Sequence, residues 1–431
     1  MFRSFFPEPK IFFPSAILWI GVAMAIWFLA GDALANAISL GPWLGTAPTE
    51  AVPDPFLSPE KIWLYQYVLM TGYSFCLFWY VYRRHYWYWW SVFGTVTILE
   101  ITYFTVQWDA WSNGWNGIFF DLLQRGSSNP GTVTFDQIAE QTYVYAAVMA
   151  PYILLIVTLS FFTSHYVFRW RRAMTFYYMS QWQRLRHIEG ASQRVQEDTM
   201  RLAQILEGLL VAFFDSMMVL VVFLPLLYGL SANITTIPVI GNVDGALVWV
   251  ALVLAAFGTA LLAAVGYKLP GLQFHNQRVE AALRKELVYG EDNGERAEPV
   301  SVRQLFAGVQ KNYFRLYWHY TYFNLARYSY GNVASILPML VMAPSLVAGA
   351  MTMGTYQQVV LAFNRVSGSF QFLVTAWPTI VELLSVHKRL KAFESHIPPD
   401  APLVVDADLP DHPRPHEEVV DVGTPSMPNN P

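Results

Sequence analysis

The sequence predicts an all-α integral membrane protein with about eight transmembrane helices. Three observations carry that expectation. Of 431 residues, 54% are hydrophobic and 13% charged, about half the roughly 25% charge of a soluble domain. Sixteen Trp, 24 Tyr and 30 Phe suit a chain with many lipid–water boundaries, where amphipathic rings anchor helices. The basic residues also fall in alternate loops, which is how a polytopic chain fixes its orientation.

A hydrocarbon core of roughly 30 Å takes about 20 apolar residues per helix. On that measure the first three spans run 11–31, 63–82 and 88–107, and the fourth 142–163. The first has no small-residue cleavage site after it and reads as a retained span. The fifth runs 204–230 and the sixth 246–267. The last two, 316–350 and 356–384, are long and interrupted by Arg327 and Asn332, and by Asn364, Arg365 and Gln371. Such residues face water or a partner helix rather than lipid.

Arg and Lys crowd the segments before span one, after spans two, four and six, and after span eight. The intervening loops carry only Lys61 and Arg125 against many acids. Both termini are therefore expected on the cytoplasmic side. The stretches 166–203 and 268–314 read as helical extensions of their spans into the cytoplasm. The segment 108–141, with Trp108, Trp111, Trp115, Phe119 and Phe120, reads as an outward interfacial loop, and the run Tyr86 to Trp90 as a membrane belt. We divide the chain into an N-terminal helix pair (1–87), a six-helix core (88–393) and a Pro- and Asp-rich tail (394–431) with little to bury.

Several chemistries lack an anchor. No G-x-x-x-x-G-K-[ST] phosphate loop occurs, so the chain brings no P-loop ATPase of its own. No H-E-x-x-H, Cys/His cluster or G-x-S-x-G is present. The lone Cys76 allows no intrachain disulfide. Neither an enzyme activity, a metal, a cofactor nor a nucleic-acid partner is expected.

The acids inside apolar runs are the candidate functional residues. Residues 193–210 begin as a charged helix, with Arg194, Glu197, Asp198 and Arg201, and end in lipid, carrying Glu207 inward. An intramembrane charge costs about 2.5–3.5 kcal/mol on insertion scales. Glu207 is thus either a proton-exchanging or cation-meeting group, or a boundary residue reaching back to the interface. Asp215 lies two turns further in. A second set comprises Glu280, Glu286, Glu291 and Asp292. Glu280 and Glu291 share nearly one helix face, roughly 16 Å apart by helix rise. Glu197/Arg201 and Glu280/Arg284 have the favourable i,i+4 order of a solvated, salt-bridged helix. Glu382 is expected to pair with the nearby His387-Lys-Arg. Glu100 is a possible further titratable site. The His residues show no ligand spacing.

The chain resembles the SbmA/BacA bacterial peptide transporters. The resemblance rests on Met1 to Pro7, Ser164 to Arg171, Leu185 to Ala191, Gln193 to Arg201, Val265 to Leu272, Asn276 to Ala282, Arg284 to Asp292, Lys311 to Tyr317 and Val381 to Leu390. It implies an inner-membrane homodimer whose last six spans resemble the transmembrane half of an ABC exporter without its nucleotide-binding domain. It further implies proton-driven import of varied peptides, including cationic, proline-rich and thiazole-containing antimicrobial peptides. Relatives serve chronic infection or symbiosis. Carried over by residue, the coupling glutamates of that family fall on Glu197, Glu207, Glu280 and Glu291, with Asp292 beside the last. The chain departs from the family pattern at Arg83-Arg84, at Trp115 to Leu122, and in carrying Glu100 and Asp215. Two other classes stand against this reading: an ABC half-exporter served by a separate ATPase subunit, and a lipid-modifying membrane enzyme, for which no polar catalytic cluster is present.

Overall fold

A computed structural model describes residues 1–49, 52–188, 190–232, 234, 241, 243–293, 297–398 and 401; for Gln277, Asp292, Leu373 and Val374 it describes the backbone only. The tail beyond 401 lies outside the described residues. The described chain is helical, with ten principal helices: α1 Pro9–Ile38, α2 Pro59–Tyr82, α3 Gly94–Ser128, α4 Phe135–Ser180, α5 Thr199–Ser231, α6 Ala246–Gly266, α7 Leu269–Asp292, α8 Pro299–Val347, α9 Met353–Thr375 and α10 Trp377–Glu394.

Local chemistry sets their ends. The Ser58 hydroxyl caps α2 by accepting from the Lys61 N–H at 3.4 Å, with Pro59 next in line. Proline there loses no bond, because the first N–H groups of a helix have no partner. Thr134 and Gln137 form a reciprocal capping box at the start of α4. Pro299 opens α8, and Pro378 sits in the first turn of α10. That proline separates α9 from α10, since it cannot donate into a continuous helix.

All eight expected spans fall on helices. Six helical stretches among the described residues are long and apolar enough to cross a membrane: α1, α4, 191–231, α6, α8 and the α9–α10 pair. α2 and α3 are less apolar. α1 exposes Ile17 at 74% and Leu29 at 87%, as expected of a helix apolar all round that faces lipid. The expected extensions are also present. α4 has 46 residues and α8 49, about 69 and 74 Å at helical rise, more than twice a bilayer core.

The expected outward loop at 108–141 is a correction. α3 continues without a break to Ser128, and only 129–134 connect it to α4. Trp108 and Trp111 are buried. Trp108 stacks on Tyr152 at 3.8 Å between ring centres, and Trp115 lies 4.3 Å from Tyr145. These rings belong to the α3–α4 seam rather than to a membrane surface. The Tyr86 to Trp90 run is likewise mixed: Trp87 and Tyr88 are buried, and Tyr86 and Trp89 are exposed.

Two cores hold the bundle. One is aromatic and joins Phe5, Phe6, Trp79, Tyr166, Trp170 and Leu390. The other joins α3, α5, α6, α8 and α9 through Val106, Val219, Phe223, Leu247, Met342, Phe363 and Val366. In the second, Tyr330 of α8 crosses Gly258 of α6 so closely that a Cβ there would overlap its ring. Its hydroxyl donates to the Leu254 carbonyl at 2.9 Å and accepts from Gln371 at 3.0 Å. α7 folds back on α8 as a hairpin, joined by the Asn276–Asn312 side-chain bond at 3.0 Å. α8 leaves Phe314, Tyr317, Trp318 and Tyr328 exposed in the single chain.

Candidate functional site

α5 is entered through a π-helical turn, Arg194–Asp198, a distortion that recurs at functional sites. Glu197 in that turn and Arg201 one turn on face Glu382 of α10. Arg201 donates to Glu197 Oε1 at 3.3 Å and to Glu382 Oε1 at 2.9 Å. The three groups line a cavity of about 730 Å³ between α5 and α9–α10. Met200, Ile205, Leu209 and Phe372 supply its apolar wall; Gln204, Thr375 and Thr379 supply polar groups. The mixture of apolar wall and few polar groups is typical of a ligand cleft. The expected pairing of Glu382 with His387-Lys-Arg is not formed; its partner is Arg201, far away in sequence and on another helix.

Beside the cavity, Asp198 is locked. Its side chain is 2% exposed. It accepts from Arg194 at 2.9 Å and from Arg389 at 2.7 and 3.1 Å. Arg194, a candidate from sequence, thus braces Asp198, and neither is among the cavity-lining residues.

The other candidate acids fall in separate places. Glu207 is half-buried and turned toward α4, where it accepts from the Ser164 hydroxyl at 2.5 Å. It has a partner that its own helix could not supply, and it is not among the cavity-lining residues. Glu280, half-buried, and Glu291, exposed, lie on the α7–α8 hairpin. Glu286, on the same hairpin, accepts from the Ala297 N–H at 3.3 Å. The side chain of Asp292 lies outside the described residues. Within one chain, then, the structure brings Glu197 to the cavity and leaves Glu207, Glu280 and Glu291 out of its lining.

Glu100 is buried between α3 and α2, 6% exposed. It lies against Gly72, where a Cβ would overlap its carboxylate, with Tyr73 and Cys76 as its electrostatic neighbours. Neither oxygen makes a hydrogen bond of ordinary geometry. Asp215 joins an ion pair that sequence reasoning missed: Arg365 of α9 is bonded to Asp109 of α3, and Asp215 of α5 interacts with both. Outside the spans, in the turn between α2 and α3, burial and the nearby Arg83 hold His85 down at about 4. Its Nδ1 accepts from the Trp87 N–H at 3.2 Å.

A helical bundle with several membrane-crossing helices and a charged cleft is the architecture of a membrane transporter. The chain belongs to the SbmA/BacA-like family, which matches residues 84–398 and so takes in α3 to α10. It is also 24% identical over 326 residues to the inner membrane ABC transporter ATP-binding protein YddA of Escherichia coli, covering 70% of this chain and 57% of that one. An ABC transporter ATP-binding protein of Synechocystis is 24% identical over 54% of the chain and 34% of its own length. ABC transporter D family member 2 of Arabidopsis thaliana, a chloroplastic protein, is 24% identical over 60% of the chain and 37% of its own length. The chain therefore spans about a third to a little over half of these relatives.

Proposed function

We propose that the protein is a homodimeric, proton-driven importer of structurally diverse peptides, antimicrobial peptides among them, in the bacterial cytoplasmic membrane. Both termini face the cytoplasm in this reading. The observation that carries it is the cavity of Glu197, Arg201 and Glu382, set in a chain of the SbmA/BacA-like family. Two acids against one base give the cavity an excess negative charge, suited to basic peptide groups. Its apolar wall suits varied side chains. The division into an N-terminal pair (1–87), an exporter-like core (88–393) and a tail (394–431) belongs to this reading.

Proton coupling needs at least one carboxyl whose affinity for a proton differs between the two access states. Glu207 is the first choice, since its single Ser164 bond at the α4–α5 seam would be remade when those helices shift. Glu280 and Glu291 project on a hairpin with an exposed aromatic flank. A second copy seated on that flank would bring them toward the shared pathway. Glu207→Gln is expected to abolish uptake without loss of expression; unchanged uptake would remove Glu207 from the mechanism.

One set of observations favours a second reading. The relatives from Escherichia coli and Synechocystis are ABC transporter ATP-binding proteins and that from Arabidopsis thaliana is an ABC transporter, while this chain holds no P-loop motif. It could serve as the membrane half of an exporter with a separate ATPase. Reconstitution of the purified chain alone in liposomes with a pH gradient separates the two. Peptide uptake that a protonophore collapses supports import; a requirement for ATP and a second protein supports the exporter.

A further inference from the structure

The N-terminal helix pair meets the core along α2 and α3. The pair is bonded within itself. Trp19 of α1 donates to the Thr71 carbonyl of α2 at 3.1 Å, and Tyr67 of α2 to the Ala23 carbonyl at 2.6 Å. The Trp79 indole donates to the Ser15 hydroxyl at 3.2 Å. Its seat on the core is pinned at two levels. At one, Phe5 and Phe6 lie against Trp170, and the Tyr88 hydroxyl donates to the Cys76 carbonyl at 2.6 Å. At the other, Trp111 donates to the Asp54 carbonyl at 3.1 Å, and Tyr65 packs on Phe104 with ring centres 5.1 Å apart.

Glu100 lies between these levels. It faces Gly72, and the missing Cβ there leaves the room its carboxyl fills: a methyl would overlap Oε1 and crowd Val96. The residue is buried, and neither oxygen makes a hydrogen bond of ordinary geometry. Among the described residues no cation acts on it. α2 brings Tyr73 and Cys76 to its side. On α3 itself, Tyr103 accepts from Gln107. α1 carries only Lys10 and Asp32, near its two ends. On α4 and α5, Tyr166 is bonded to Thr95 and Glu207 to Ser164. An ionised Glu100 in the closed seam would be an unpaired charge in an apolar wall, far costlier than an unpaired neutral acid.

We propose that Glu100 is a proton-binding site, separate from the cavity, that ties a proton to the seating of the N-terminal pair. It holds the proton while α2 lies against α3. It gives the proton up only as the two helices part around Gly72 and admit water. A proton thus fastens the seam, and its loss loosens it. The site does not depend on the import reading.

The test uses a native thiol and no peptide, so its failure and the failure of the import reading are separable. Cys76 is the only cysteine, is buried, and lies one turn from Gly72 on the same face of α2. Its rate of alkylation by a small maleimide is measured on the full chain in lipid nanodiscs at acid and alkaline pH. Each rate is divided by that of the unfolded chain at the same pH, to allow for the thiol's own titration. The ratio is expected to rise several-fold from acid to alkaline pH. Glu100→Gln, which keeps the shape of the protonated acid, should hold it low at both. In the unaltered chain, the infrared carbonyl band of a protonated carboxyl without hydrogen bonds should fade over the interval in which the ratio rises. A ratio equal at the two pH values, or one that rises as much in Glu100→Gln, overturns the site. Should Glu100→Gln fail to fold, the unaltered chain decides alone: band and ratio changing together uphold the site, and a band that is absent or persists while the ratio rises overturns it.

Discussion

The two ends of α5 hold their acids in opposite ways. Near its start, Asp198 is enclosed by two arginines, with three charge-assisted hydrogen bonds and almost no exposure. Past its middle, Asp215 and Asp109 share one arginine. The first arrangement has more cation than acid and satisfies both carboxylate oxygens. The second has more acid than cation. One end is closed off by its arginines, while the arginine at the other is 46% exposed, although a single helix runs through both.

The largest expected effect tests the fixed end. Asp198→Asn leaves two arginines facing an uncharged amide. Removing one partner of a buried pair costs about 3–5 kcal/mol, and the partial exposure of both arginines lowers this to about 2–3 kcal/mol. The midpoint of thermal unfolding in detergent should fall accordingly, and a shift as small as that of a surface change would erase the contrast.

Gly117→Ala comes next. The added methyl on α3 meets the Gln358 side chain of α9, and overpacking of this kind costs about 1–3 kcal/mol. Gln358 can give way at its far end, which places the value near the bottom of that range. A loss equal to that of Asp198→Asn would mean that the α3–α9 contact is as unyielding as the arginine lock on Asp198.

A smaller effect depends on pH. His85 sits folded at about 4 against an ordinary 6.5. Between those values the unfolded chain binds a proton that the folded chain refuses. Stability is therefore whole above 6.5 and declines as pH falls from 6.5 to 4. Allowing for solvent screening, the decline is about 1–2 kcal/mol. His85→Gln should flatten the pH profile of unfolding over that interval, and an unchanged profile would place the acid sensitivity elsewhere.

The smallest change in stability is expected from Glu382→Gln. Both partners of that pair are more than 40% exposed, and such pairs contribute about 0–1 kcal/mol. Unfolding should barely move, while competition by basic peptides for uptake should weaken.

Much of this fold was legible in hydropathy and charge. The eight spans fell on helices, and most of the described residues of the stretches 166–203 and 268–314 proved to be helical. Those features depend on composition along the chain. What failed depended on faces and distant partners. Glu382 was assigned to its sequence neighbours because its true partner, Arg201, is 181 residues away. Residues 108–128 looked like a loop because they mix Trp, Gly and Asn at low hydropathy. The signal was nevertheless present: Asp109, Asn113, Gly117 and Asp121 recur every four residues, a polar stripe of helical period. Reading that period would have extended α3 and shown the face it packs on α9. Glu207 has no base within a turn on the lipid side of its own helix, and no local pattern could show that Ser164 would reach it.

The great length of α4 and α8 has a mechanical consequence. A bilayer clamps only part of a rod about 70 Å long, in α8 the part toward its C-terminal end. A small tilt at that fulcrum becomes a swing of several times the amplitude at the hairpin tip. Any body that grips the tip, a second copy or a soluble subunit, therefore works the far wall of the cleft with leverage, and needs no contact with the cleft itself.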